Sequence, residues 1–413
     1  MRQHTANSAF HPPHVATSVR TLVGYLRAVV RSAGRFVSRH RHPAVSFALA
    51  ALVFGVVFHQ FITKQTGHSI NDFGSHLDYA ASIRSAGDIR SPHFLFQVLV
   101  IAIDKVPGFG WTGSTVALLA VTYGGMAALL FGELRRRAPL APAYRLQALV
   151  IALLLASHVF LATMYRHNLY WGYFVPVMYT NPTQQLNKLF ALWIYFWYST
   201  GIMERERPRL GQAPALAALC VLSALAKPSF LIAFLPASGL NGLGDLLRSR
   251  WRHLAVFVAG IALPSLAVLL WQTRMANAGT GMAVLFAPFA VFNAAETAYK
   301  LPLSLAFPIA VLYVAFRTES NRRRLYFSWL FTTIALFYTL GLAEADANLL
   351  AGNFAWTGQT AVFLAYIESA LFLLTVPAGS PGRRFAWGVL AVHVACGVFW
   401  YGSVFLPDQD TWL

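Results

Sequence analysis

Charge is what this sequence has least of. Of its 413 residues only 11% are Asp, Glu, Lys or Arg, and 15 are acids. An ordinary soluble domain carries roughly a quarter charged residues. With so few charges a chain of this length could not coat its own surface in water, which excludes a soluble domain. Cysteine is nearly absent too. Cys220 and Cys396 are the only two, both inside apolar runs, so neither a disulfide framework nor a thiolate metal site is expected. Metal-ligand His/Cys spacing, a glycine-rich phosphate loop and a Gly-x-Ser-x-Gly nucleophile elbow are all missing. A cleavable signal peptide is not expected either. The first long apolar run begins near Ala44, too deep in the chain, and no small-residue cleavage pattern follows it.

What is present is apolar length. Hydrophobic residues make up 57% of the chain and the mean hydropathy is +0.54. Many runs reach the roughly 17 to 20 residues that span a bilayer core as a helix. Lipid offers the backbone no hydrogen bonds, so each run is expected to be helical. The expected fold is all-α and polytopic, with about eleven transmembrane helices. The runs cover 44–62, 114–132, 146–164, 187–203, 213–226, 230–243, 253–272, 301–317, 325–343, 359–377 and 386–405.

The net charge of +17 and a pI near 10.3 raise the question of nucleic acid. The placement of the charge answers it. Arginine clusters at 135–137, 205–209, 248–252, 322–324 and 383–384 recur after every second crossing. The positive-inside rule sets all of them in the cytoplasm together with the N-terminus. The segments so assigned hold 23 of the 27 arginines against five acids. The surplus charge orients the protein in an inner membrane, and no nucleic-acid partner is expected. Residues 1–43 read as a cytoplasmic basic segment. Within it Arg20, Arg27, Arg31 and Arg35 interleave with apolar residues at helical spacing over 19–37, a pattern suited to an anionic leaflet. Residues 44–413 read as one transmembrane domain.

The first outer loop, 63–113, is expected to hold two juxtamembrane helices. One runs from Ser75 to Ala86 with Gly87 as its stop. The other runs from His93 to Val106, about 14 residues and roughly 21 Å, too short to cross, with Ser91 and Pro92 as N-cap and first-turn proline. The runs 213–226 and 230–243 are also short and are joined by Lys227-Pro228-Ser229. Such a pair leaves a cavity open toward the outer leaflet, with Lys227 at its floor.

Chemistry is expected in these outer segments. Asp72 and His76 stand four residues apart and share a face if the helix extends back that far; a carboxylate there can act as general base on a sugar hydroxyl. The alternative is that Asn71 and Asp72 only cap a surface helix. Lys227 lies at depth and needs an anion, either a lipid-linked phosphate or a protein carboxylate such as Glu368. The second outer loop offers Arg166 and His167 for phosphate. Tyr170, Trp171, Asn181, Gln184 and Lys188 there, with His76 and Asp78, offer substrate contacts. The alternative is an interfacial aromatic belt with snorkelling cations. Glu296, Lys300, Glu344, Asp346 and Asn353 in the later outer loops either line the site or solvate the surface.

This layout resembles the GT-C superfamily of membrane glycosyltransferases. The matching features are Asp72 soon after the first span and the Asp-x-x-x-His run leading to Tyr79-Ala80-Ala81. The two short peripheral helices and the broken spans around Lys227 also match. The resemblance implies a polyprenyl-phosphate-sugar donor, Asp72 as catalytic base, and Lys227, Arg166 and His167 as phosphate ligands. Many relatives carry two adjacent acids where this chain has Asn71-Asp72. That departure favours inverting transfer without a metal, and no cofactor, to a periplasmic glycan, lipid or protein acceptor. No large C-terminal soluble domain is expected. Two alternatives remain: a polymerase or ligase of lipid-linked polysaccharide, and a transporter or lipid flippase.

Overall fold

A computed structural model describes residues 41–63, 72–89, 91–159, 181–280, 283–345, 349–350, 352–403 and 405. The basic segment 19–37 and the positions of Asn71, Arg166, His167, Tyr170, Trp171 and Asp346 lie outside these. The chain is an all-α protein. Its helices are α1 (Arg41–Thr63), α2 (Phe73–Ser82), α3 (Leu95–Asp104), α4 (Gly110–Arg137), α5 (Ala143–Leu155) and α6 (Pro182–Tyr198). They continue with α7 (Ala213–Ala226), α8 (Ser229–Leu247), α9 (Trp251–Phe257), α10 (Leu263–Thr280), α11 (Ala294–Phe316), α12 (Arg323–Gly341), α13 (Ala355–Leu373) and α14 (Pro381–Ser403). A short ribbon of β1 (Val284–Phe286) and β2 (Leu342–Glu344) pairs Leu285 with Ala343 antiparallel.

Among the described residues six helices are long and apolar enough to cross a membrane: α1, α4, α8, the continuous Trp251–Met275 helix of α9 and α10, α11 and α14. Each of the eleven expected runs contains a helix. α13 is buried on every side from Thr357 to Leu373, as befits a helix apolar all round, and α12 and α8 pack on it.

Several boundaries differ from expectation, each for a local reason. α2 stops at Ser82, because the Asp88 carboxylate accepts from the Arg84 and Ser85 amides and folds 84–88 into a tight turn. α3 begins at Leu95 and not near His93. Ser91 donates its amide to the Tyr79 hydroxyl and its Oγ accepts from His93 N, so residues 91–94 stay outside the helix. α5 ends at Leu155, well short of 164. Ala156 turns extended, and Ser157 N bonds to His393 O at 3.1 Å. Gly397 permits this, since a Cβ there would sit 1.7 Å from Leu155 O. The run 230–243 is longer than expected, continuing as α8 to Leu247.

The charged groups sort to two ends. Arg324, at the start of α12, reaches Glu368 on α13 and Glu133 on α4. Arg136 joins Glu133 to Glu204, and Arg137 also reaches Glu204. Glu368 is therefore the partner of Arg324, correcting the expectation that it could neutralise Lys227. Its place on the last turns of α13 puts it at the far end of the bundle, and Lys227 belongs to the other. At that other end Asp72 meets Asn181, and Gln272 on α10 meets Pro92.

Candidate functional site

The site is assembled by helix starts and stops. Pro228 has no amide to continue α7 and forces the residue before it out of helical geometry. Lys227 is accordingly extended (φ −167°, ψ 133°), and its amide closes α7 on Ser223 O at 2.8 Å. Lys227 is 7% exposed, and its ammonium lies 4.7 Å from the centroid of the Trp356 ring, a cation–π placement. Burial pushes this ammonium down from 10.5 to about 8, while Asp72 and Glu344 pull it back up.

Asp72 occupies the N-cap position of α2, yet its side chain makes no capping bond. Its carboxylate instead accepts from the Asn181 Nδ2 amide. Asn181 does two things at once. Its Oδ1 caps α6 by accepting from Gln184 N at 3.0 Å, with Pro182 at the first helical position, a favoured helix start. Its amide nitrogen is thereby aimed at Asp72. The helix cap fixes the carboxylate.

His76, one turn along α2, faces Gln97 of α3, whose Nε2 stands 2.8 Å from its Nδ1. Burial, then Lys227, lower the His76 imidazole to about 4, with Asp72 opposing. Burial, then Lys227 and His76, lower His93 to about 3. Both rings are neutral near pH 7. Gln272 donates to Pro92 O and Ala224 O, each at 2.8 Å, and so ties the His93 segment to α7 and α10.

A cavity of about 360 Å³ lies beside this cluster. His93, Lys227, Ser229, Gln272, Glu344 and Asn353 supply its polar groups, and Ile232, Leu269 and Phe354 its apolar wall. Asn353 donates to Glu344 at 2.8 Å. Asp72 and His76 stand next to the lining residues, close enough to Lys227 and His93 to alter their charge. A mostly apolar pocket with a few convergent polar groups is how small-molecule sites are commonly built. The charge pattern suits a phosphate at Lys227 with a carboxylate across from it. Among the described residues no three His, Cys, Asp or Glu side chains converge as a metal cluster.

Asp72, His76, Asn181 and Lys227 thus come together. Gln184 and Lys188 are fully buried behind the cavity. Gln184 bonds Trp356 O, Thr360 and Ser229 and pins α6 to α13 and α8. Lys188 is enclosed with Phe363 5.8 Å away. Asp78 is exposed on α2, two residues on from His76 and so on another face. Glu296 and Lys300 pair with each other at 2.6 Å. His93, Trp356 and Gln272 were not expected in the site. The sequence did carry one signal for His93, a proline just before it. Comparisons of the chain with protein-family models, with curated proteins and with solved structures give no match, and the functional reading rests on the residues themselves.

Proposed function

We propose that the protein is an inverting membrane glycosyltransferase of the GT-C kind. It moves a sugar from a polyprenyl-phosphate donor to a periplasmic glycan, lipid or protein acceptor. The observation that carries this reading is the Asp72 carboxylate. It is held by the amide of Asn181 and not by its own helix, and it acts on the charge of Lys227 beside a largely apolar cavity. A residue that merely capped α2 would bond α2.

In this reading the arginine end is cytoplasmic by the positive-inside rule, the membrane is a bacterial inner membrane, and the cavity faces the periplasm. The eleven helical runs then alternate in direction through the membrane, the short α5 and α7 reaching part of its depth. Lys227 holds the donor phosphate. Asp72 takes the proton from the acceptor hydroxyl as its oxygen attacks the anomeric carbon. The bond from that carbon to the phosphate oxygen breaks, and polyprenyl phosphate leaves with the electron pair. Configuration inverts because attack and departure are on opposite faces. Neutral His76 and His93 add hydrogen-bonding groups without adding positive charge.

Mass spectrometry of envelope glycans and lipids tests this. A deletion strain is expected to lack one sugar that wild-type protein restores. Asp72→Asn is expected to insert and fold normally while slowing transfer by about 10²- to 10⁴-fold, the usual worth of a general base. Wild-type product levels with Asp72→Asn would remove Asp72 as the base. One observation favours a transporter instead: the Lys188 ammonium, deep within α6, has no hydrogen-bond partner among the described residues. Intramembrane cations of that kind mark ion paths. A deletion strain with every sugar in place and altered lipid distribution would select that reading.

A further inference from the structure

We propose that the arginine end of the bundle carries a binding site for the phosphodiester headgroup of an anionic phospholipid, where the loop between α6 and α7 meets the start of α9. A second cavity, about 380 Å³, lies there, lined by Arg207, Arg250, Arg252, Glu206, Trp251 and His253 among others. It is far from the candidate active site and takes no part in the proposed reaction.

The pocket is built and not only a patch of surface arginines. His253 is buried, and its Nε2 bonds Arg205 O at 2.8 Å, which clamps the 205–207 loop onto α9. Ser249 adopts φ +57°, the left-handed conformation that turns the chain sharply, and Arg250 N returns to Asp245 O at 2.9 Å. Buried Asp245 stands 3.5 Å from the Arg250 guanidinium. The Arg252 guanidinium rests against the Trp251 ring at 5.3 Å.

Charge selects the ligand class. Asp245 is shared between Arg250 and Arg323 at 3.5 and 3.7 Å, and Glu206 is the one acid lining the pocket beside Arg207, Arg250 and Arg252, so a net positive charge is left for a phosphodiester anion. Planar guanidiniums also pair with phosphate oxygens in a bidentate way. The surroundings select a lipid over a soluble anion. Leu240, Leu243 and Leu247 are exposed along one side of α8, at the spacing of a single helical stripe. Beyond the turn at Ser249, Trp251 opens α9 and is 61% exposed. An acyl chain can follow the leucines while tryptophan marks the headgroup level. Basic pockets at the cytoplasmic ends of helices are suited to anionic headgroups.

Full-length protein in phosphatidylcholine nanodiscs, titrated with phosphatidylglycerol and read by native mass spectrometry, tests the site. Wild type is expected to retain phosphatidylglycerol preferentially. Arg207→Gln and Arg252→Gln are each expected to weaken retention about fivefold, from roughly 1 kcal/mol per arginine near the surface. Glu206→Gln, at an exposed position, removes an offsetting charge and is expected to strengthen retention by a similar factor. That opposite sign distinguishes recognition from damage to the fold. Arg383→Gln, at the same end and outside the pocket, should change nothing. Equal retention in all four variants, or an equal loss with Arg383→Gln, overturns the site. Competition by glycerol phosphate as effective as by phosphatidylglycerol overturns the lipid assignment.

Discussion

At one end of the bundle Arg324 lies between Glu368 and Glu133, and Arg136 and Arg137 extend the chain of charges to Glu204. At the other end the Lys227 ammonium lies over the Trp356 ring and forms no ion pair among the described residues. Both cations are nearly as buried as each other, at 5% and 7% exposure. The first is surrounded by carboxylates that neutralise it, and it joins α4, α12 and α13. The second has Asp72 and Glu344 near enough to favour its charge, with neither in an ion pair with it. Buried charge matched within the protein holds helices together. Buried charge left facing a pocket is suited to a ligand. The difference separates a fastening from a site, and it can be broken experimentally.

The largest expected effect on stability is at the fastening. Arg324→Leu leaves Glu368 and Glu133 buried against an apolar side chain. Thermal unfolding in detergent should show a loss of about 3 to 5 kcal/mol, the usual cost of breaking one side of a buried pair. Adding Glu368→Leu should return part of it, because an apolar pair of similar volume tolerates burial better than a single charge. An unchanged melting temperature in Arg324→Leu would remove the contrast between the ends.

Lys227→Met should do the reverse, leaving the melting temperature nearly unchanged. Donor use should fall about ten- to one-hundredfold, because a hydrogen bond to a charged group contributes roughly 1.5 to 3 kcal/mol. The free-enzyme profile of kcat/KM should also fall as pH rises through about 8, where the lowered Lys227 ammonium loses its proton. Lys227→Arg should abolish that descending limb, since guanidinium stays charged. A limb that persists in Lys227→Arg would assign the proton elsewhere.

How much of this could be read in one dimension depends on the kind of information each feature needs. The helices were legible because bilayer-length apolar runs have few other outcomes. The gathering of arginines at one end was legible because their clusters recur after every second apolar run. Asp72 and Lys227 stood out as charges beside apolar runs. Trp356 and Gln272 did not, because an aromatic or amide at the end of an apolar run looks like an interfacial residue until the fold brings it to Lys227. Gln184 and Lys188 were expected to contact substrate from an outer loop, and instead they are buried. Their burial depends on Ser229, Thr360 and Phe363 arriving from other helices. The partner of Glu368 was missed because Arg324 lies 44 residues away, at the edge of a cluster already explained by orientation.

The smallest expected effect concerns acid. His76 and His93 are held near 4 and 3 in the folded protein, against about 6.5 in an unfolded chain. Between those values the unfolded state binds more protons than the folded one, so stability rises with pH across the window. The contribution of the neutral rings is complete above about 6.5. It is lost as pH falls toward 4 for His76 and toward 3 for His93. New positive charge would then form beside Lys227, so the loss should be local. Hydrogen–deuterium exchange, corrected for intrinsic chemistry, should show α2 and residues 91–94 less protected at pH 5 than at pH 7, by at most about tenfold per pH unit for each proton. Amides of α12 and α13 around Arg324 should be unaffected over the same range. His76→Gln should flatten the response of α2. Equal loss of protection at both ends would mean that acid acts on the whole bundle and not on its cavity end.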